Sequence, residues 1–315
     1  MALGLAALIA LAYFMFGLRG CEAYKYVNIN LACSEGLISK VSYAEFQTNV
    51  KEYIDSAKAG TTVNEVAMYF RDLRGGPSWG IDSFNEFAPA SLLKLPVVIA
   101  VLNIAEDDPD ILTKKLVYSR EALKEFDIPE QDVFNFAGLE LKEGEYYTVE
   151  ELMRATIVYS DNEAYYTLIK YINEEYPYGT ERVFVTFQEL GIKDPQSDAD
   201  ETVSVHAYAQ LFRTLYNVSY LDPDASEKVL GWMAEATCDG GLMAGLPEGA
   251  VLADKFGERM YEGDIKQLHD CGIIYYPNNP YILCVMTKGR EWNDLKKVIG
   301  DISAMVYKEV DSRAK

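Results

Sequence analysis

The sequence predicts an α+β fold whose sheet joins the two ends of the chain. Strand-like segments gather before about residue 84 and after about residue 246, the long middle reads as helices, and an amphipathic helix closes the chain. Of the 315 residues, 49% are hydrophobic and 25% charged, the balance of a folded globular protein with length for one large domain or two ordinary ones. Lys and Arg total 29 against 49 Asp and Glu, a formal net charge of −20. A surface so acidic repels phosphate backbones, and no run of Lys or Arg supplies a local basic patch, so no nucleic-acid partner is expected. The five cysteines, Cys21, Cys33, Cys238, Cys271 and Cys284, are too few and too scattered for a disulfide scaffold or a zinc site. One bridge, for example Cys238 with Cys271, is compatible with their number.

Residues Ala2 to Leu18 are uncharged and mostly apolar, and the first charge is Arg19. Nothing polar interrupts the run on any face, so a membrane anchor or signal segment is expected over 1–20. No Lys or Arg precedes it, while Arg19 and Lys25 follow, so charge gives no support to an outward-facing body. Leu18-Arg19-Gly20-Cys21 resembles a lipoprotein cleavage box, although Arg19 fits such a box poorly. A mixed connector over 21–42 leads to one domain over 43–315.

Within that domain Tyr43 to Ala59 has helical spacing, with Phe46, Val50, Tyr53 and Ile54 on one face. Glu65 to Leu73 and Trp79 to Phe84 read as a hairpin around the turn Arg74-Gly-Gly-Pro77. Helices broken by acidic loops fill Ser91 to about Tyr220. Leu246 to Lys255, Gly272 to Tyr276 and Tyr281 to Met286 are strand-like, and Trp292 to about Val310 repeats apolar residues at three and four.

Several motifs compete for a chemical role. Gly76-Pro-Ser-Trp-Gly80 matches G-x-S-x-G, but a nucleophile elbow needs a helix after the serine and here a strand follows, so it reads as a hairpin turn. The two histidines are poor triad partners: His206 faces outward near a helix start, and His269-Asp-Cys271 opens a strand. No H-E-x-x-H or carboxylate cluster has ligand spacing, so neither a metal nor another cofactor is expected. The stronger candidate is Ser91-Leu-Leu-Lys94 ahead of the apolar run to Leu102. A helix starting at Ser91 would put Lys94 on the same face, within reach of the hydroxyl. Burial and a second cation would lower the lysine pKa so that a neutral amine can take the serine proton.

Two further stations follow in order, Ser160-Asp161-Asn162 inside the helical run from Leu152 to Lys170, and Asp254-Lys255-Phe256-Gly257 at the end of a strand. From about Ser42 onward the chain resembles the class A β-lactamases and penicillin-binding serine hydrolases, whose motifs are S-x-x-K, S-D-N and K-T-G. The resemblance implies an antiparallel sheet flanked by helices plus an all-α subdomain. It implies Ser91 as the acylated nucleophile, Lys94 as its base and Ser160 as proton relay. Asn162 would hold the substrate amide and Lys94, while Lys255, with Gly257 on the same strand, would bind the substrate, the lysine anchoring its carboxylate. The implied substrate is a β-lactam or a D-Ala-D-Ala-type stem peptide of the cell wall, handled by a monomer outside the cytoplasmic membrane, anchored or secreted. A D,D-peptidase with slow deacylation and a silent wall-binding module are the alternatives.

Two departures bear on activity. Phe256 replaces the threonine of K-T-G, which removes a hydroxyl and narrows or re-aims that subsite. Class A enzymes also carry a loop glutamate, followed by an asparagine, that activates the deacylating water. Here the stretch from Leu190 to Ser204 looks shortened, and no asparagine occurs between Asn173 and Asn217. Asp200 and Glu201 are its acidic candidates, and both also read as helix N-terminal charges.

Overall fold

The structure is a computed structural model that describes residues 24–28, 42–126, 128, 141–193, 202–236 and 240–314. The apolar run at 2–18, the cleavage-box Cys21, and the candidates Asp200 and Glu201 lie outside the described residues. Among the described residues no helix is long and apolar enough to cross a membrane.

A five-stranded antiparallel sheet in the order β2-β1-β9-β8-β7 organises the domain. Its strands are β1 (Val63–Asp72), β2 (Ser78–Ile81), β7 (Leu252–Tyr261), β8 (Ile265–Ile274) and β9 (Tyr281–Gly289). β1 pairs with β9, so the sheet joins the two ends of the domain as the strand pattern predicts. Gly76 to Gly80 falls in the β1–β2 hairpin and forms no elbow. β7 begins at Leu252 and not at Leu246, because Pro247 to Ala250 close a turn. The K-F-G station therefore lies in the middle of β7, which continues to Tyr261.

Side chains alternate across each strand, so the sheet has two distinct faces. Val66, Met68 and Phe70 of β1 and Leu283 and Val285 of β9 join one apolar cluster, with α1 (Ala44–Gly60) and α8 (Trp292–Ala314) over it. α1 contributes Phe46, Val50 and Ile54, and α8 contributes Leu295, Val298, Ile299, Ile302, Val306 and Val310. Each such side chain, buried whole, contributes roughly 1.5–3 kcal/mol.

The other face carries the helical half: α2 (Lys94–Asp107), α3 (Val149–Val158), α4 (Asn162–Glu174), α5 (Gly179–Glu189), α6 (Val205–Tyr216) and α7 (Pro223–Glu235). α2 is apolar nearly all round and is buried from Lys94 to Leu102, as an internal helix should be. Two short ladders complete the frame: β3 (Glu86–Phe87) with β6 (Val203–Ser204), and β4 (Lys115–Val117) with β5 (Tyr146–Thr148). α3 starts on a capping box in which the Thr148 hydroxyl accepts the Glu151 N–H at 3.1 Å and the Glu151 carboxylate accepts the Thr148 N–H at 2.7 Å.

Cys271 and Cys284, cross-strand neighbours on β8 and β9, form a disulfide. The sequence-level pairing of Cys271 with Cys238 is thereby corrected; the register leaves Cys271 facing its neighbour on the next strand. The connector is docked along part of its length. Glu227 of α7 accepts the backbone N–H groups of Lys25, Tyr26 and Val27 at 2.8, 2.7 and 3.1 Å.

Candidate active site

Ser91 lies on a turn between β3 and α2. Ala90 is left-handed at φ 50°, and residues Ala90–Leu93 form a single 3-10 turn that accepts no side-chain cap. The helix proper starts at Lys94, so the expectation of an α-helix from Ser91 is corrected: Pro89 and the left-handed Ala90 hold the chain in a tighter turn first. The three-residue spacing still brings Lys94 Nζ to 3.2 Å from Ser91 Oγ.

The S-D-N station occupies a break between two helices. α3 ends at Val158, Ser160 is left-handed at φ 51°, and Asp161 caps α4 by accepting the Ala164 N–H at 2.8 Å. This break turns both Ser160 and Asn162 toward Lys94. Lys94 Nζ donates to Asn162 Oδ1 at 2.6 Å and to the carbonyl oxygen of Ser160, and lies 3.1 Å from Ser160 Oγ.

These partners decide what the amine can do. A neutral amine has two N–H groups and one lone pair, and the Ser160 carbonyl and Asn162 Oδ1 can only accept. With both N–H groups committed to them, the lone pair is left for a hydroxyl proton. Burial, and next the charge of Lys255, push the Lys94 amine well below the ordinary lysine value, against the smaller opposing influence of Asp161 and Glu258. Burial and a second cation, the two influences the sequence argument names, both act on Lys94.

β7 forms the edge of the sheet beside this cluster. Lys255 is 1% exposed and donates to Ser160 Oγ at 2.9 Å and to the Phe256 carbonyl at 3.1 Å. Ser160 thus sits between two amines. Gly257 meets the Ser91 turn directly: a Cβ there would lie 2.8 Å from the Pro89 carbonyl oxygen and 2.9 Å from Leu92 Cγ, so only glycine allows the approach. Phe256 alternates away from these two, into the cluster under α1 and α8, with its ring centroid 4.3 Å from Lys255 Nζ. The ring thus lies over the cation of the motif, beside the subsite that the sequence expects it to narrow or re-aim.

Several contributors were not legible. Tyr208 of α6, wholly buried, donates to the Leu92 carbonyl at 3.0 Å. Asp254 and Asp270 lie buried behind Lys255 on adjacent strands, and Asp270 accepts the Leu242 N–H at 2.7 Å. Burial, and next the charge of Asp270, push the Asp254 carboxyl well up, and burial pushes Asp270 up to about 6. Asp254 adjoins the motif, but its partner comes from a neighbouring strand that no spacing rule connects to it. His269 lies mid-strand on β8 and not at its start, and Cys271 next along the motif is bridged to Cys284. His206 sits at the start of α6, stacked on Phe84 with ring centroids 4.9 Å apart. Among the described residues no three His, Cys, Asp or Glu side chains are grouped to hold a metal ion.

The model of the β-lactamase enzyme family matches residues 46–310. A β-lactamase of Proteus vulgaris is 25% identical over 227 residues, covering 67% of this chain and 77% of that protein. One from Citrobacter koseri is 28% identical over 205 residues, covering 61% and 64%. Among solved structures, a β-lactamase from Chitinophaga pinensis superposes with a TM-score of 0.70 at 20% identity, covering 83% of this chain and 99% of that one. A PBP-A variant described as an acyl-enzyme complex with penicillin G gives 0.66 at 22% identity, covering 84% and 97%. These structures share the fold described above: an antiparallel sheet with helices on both faces.

Proposed function

Because the chain belongs to the β-lactamase enzyme family, we propose that it is a serine hydrolase that forms an acyl-enzyme at Ser91 with a β-lactam or a D-Ala-D-Ala-type peptide. One observation carries the reading: Lys94 Nζ lies 3.2 Å from Ser91 Oγ with its other hydrogen-bonding capacity taken up by acceptors. Lys94 takes the Ser91 proton as the oxygen attacks the acyl carbon. Ser160, between Lys94 and Lys255, passes a proton to the leaving nitrogen, and the Lys255 charge favours the electron-rich transition state. The close approach of the Ser91 turn to β7 at Gly257 supports backbone N–H groups of these two segments as the oxyanion donors. Lys255 remains the cation for a substrate carboxylate, and Phe256 tunes how open it is to one.

A slowly deacylating, penicillin-binding type of turnover is the second reading. It is favoured by the lack of any asparagine between Asn173 and Asn217, where the class A enzymes that the chain resembles place the partner of their loop glutamate. The apolar run before Arg19 and the bridge between Cys271 and Cys284 support a location outside the cytoplasmic membrane.

Intact-mass analysis after mixing with a labelled penicillin tests the reading. An adduct on Ser91 that clears within seconds, with product released, is the β-lactamase outcome, and a lasting adduct is the penicillin-binding one. No adduct, with wild-type protein folded, rejects both.

A further inference from the structure

We infer that Gln267 and His269 of β8 are positioning residues that hold the peptide groups of Ala88 and thereby aim the Ser91 turn. The inference rests on Ser91 being the nucleophile proposed above. Ala88 N–H donates to Gln267 Oε1 at 3.1 Å, and the Ala88 carbonyl accepts from His269 Nε2 at 3.0 Å. The two side chains sit two residues apart on β8, hence on one face of the strand, and together they satisfy both backbone groups of one residue as a neighbouring strand would.

The arrangement is closed on its far side. Thr287 N–H of β9 donates to His269 Nδ1 at 3.3 Å, which assigns the ring proton to Nε2, the atom facing Ala88. His269 is fully buried and Gln267 is 8% exposed, and the Phe87 ring packs edge-on to His269 at 5.4 Å. Burial holds the imidazole down at about 4, so it stays neutral and keeps this tautomer at working pH.

Little freedom separates Ala88 from the nucleophile. Pro89 has its φ set at −69° by its ring, Ala90 is fixed left-handed, and the Leu92 N–H closes the turn onto the Pro89 carbonyl at 3.0 Å. Rotation at Ala88 therefore carries Ser91 with it, moving both its Oγ relative to Lys94 and its N–H relative to β7. Displacement of a reacting group by about 1 Å costs on the order of 100-fold in rate.

Three variants of the full chain test this. Gln267→Met removes the acceptor at nearly constant length, Gln267→Glu keeps an acceptor oxygen, and His269→Phe keeps the ring but not its hydrogen bonds. Amide hydrogen exchange at Ala88 and rapid-mixing acylation by labelled penicillin are measured together with melting temperature. Gln267→Met should speed Ala88 exchange by about tenfold or more. Gln267→Met and His269→Phe should slow the acylation rate constant at least about tenfold with the half-saturating concentration within about threefold, and Gln267→Glu should restore most of the rate. Wild-type acylation by a folded Gln267→Met protein, or a loss confined to half-saturation, overturns the inference. If His269→Phe does not fold, the Gln267 pair decides. If the wild-type protein is never acylated, the hydrolase reading fails by itself, and unchanged Ala88 exchange in Gln267→Met then rejects the clamp.

Discussion

The two faces of the central sheet have opposite characters. Under α1 and α8 the strands β1 and β9 bury Val66, Met68, Phe70, Leu283 and Val285, hydrocarbon against hydrocarbon, while at the β7–β8 edge of the same face Asp254 and Asp270 are buried. On the helical face, along the β7 edge, they bury Lys255 beside Lys94 and Ser160, and on β8 they bury His269 and Gln267. Desolvating such groups is costly even when they are hydrogen-bonded, and it lowers the Lys94 pKa. One layer supplies stability that the other gives up in order to hold a neutral amine against a hydroxyl. Stability and chemistry are therefore separable by mutation according to the face on which a residue sits.

The largest effect should come from the polar face. Lys94→Ala is expected to lower the acylation rate by about 10²–10⁴-fold while leaving the melting temperature equal or higher, since a buried amine is lost. Mass-spectrometric acylation kinetics with a thermal melt check this, and a rate within tenfold of wild type would mean Lys94 is not the base. In the wild type the rate should rise with pH through the depressed Lys94 value, so that it persists well below the ordinary lysine range.

The mirror-image change is Leu283→Ala on the α1/α8 face, where the side chain is fully buried. It should cost about 2–5 kcal/mol in urea unfolding, with the acylation rate at low temperature unchanged. A rate loss matching the stability loss would show that the faces are not independent.

A pH effect of intermediate size resides in His269. Its ordinary value of 6.5 falls to about 4 on folding, so between these pH values the unfolded chain binds the proton and the folded one does not. Its contribution is fully present above about pH 6.5 and is lost as pH falls to about 4, amounting to about 3 kcal/mol. Asp254 and Asp270, raised by burial, act in the opposite sense: they favour the folded state at low pH and weaken it as pH rises through their folded values, about 6 for Asp270. The difference between wild-type and His269→Phe stability across pH 4–7 isolates the histidine, and a difference independent of pH would refute the assignment.

The smallest change tests the frame that leads to Ser160. Thr148→Ala breaks the capping box of α3 and should cost about 1 kcal/mol in thermal melts without slowing acylation more than twofold.

The sequence disclosed the apolar face more fully than the polar one, for a physical reason. Periodicity at two, and at three and four, is imposed by burial, so α1, α8 and β1 were legible to within a few residues. The three motifs at Ser91, Ser160 and Lys255 were also legible, through their order along the chain. Their local geometry was not: apolar spacing runs through Val158 to Ala164 without revealing the left-handed Ser160 that separates α3 from α4. The roles of Gln267, His269 and Asp270 stayed hidden because each acts on a partner distant in sequence, and only the fold brings those partners together.

Gly257 sets a limit on how this pocket can be remodelled. Strand and Ser91 turn touch there with no side chain between them, and the first added carbon would already meet the Pro89 carbonyl and Leu92. The gap between Ser91 and the sheet edge is thus a fixed gauge that substitution at that position can only break, not adjust. Selection for a differently shaped acyl donor has to work through flanking residues such as Phe256 and Glu258, which can change size or charge while the gauge itself is kept.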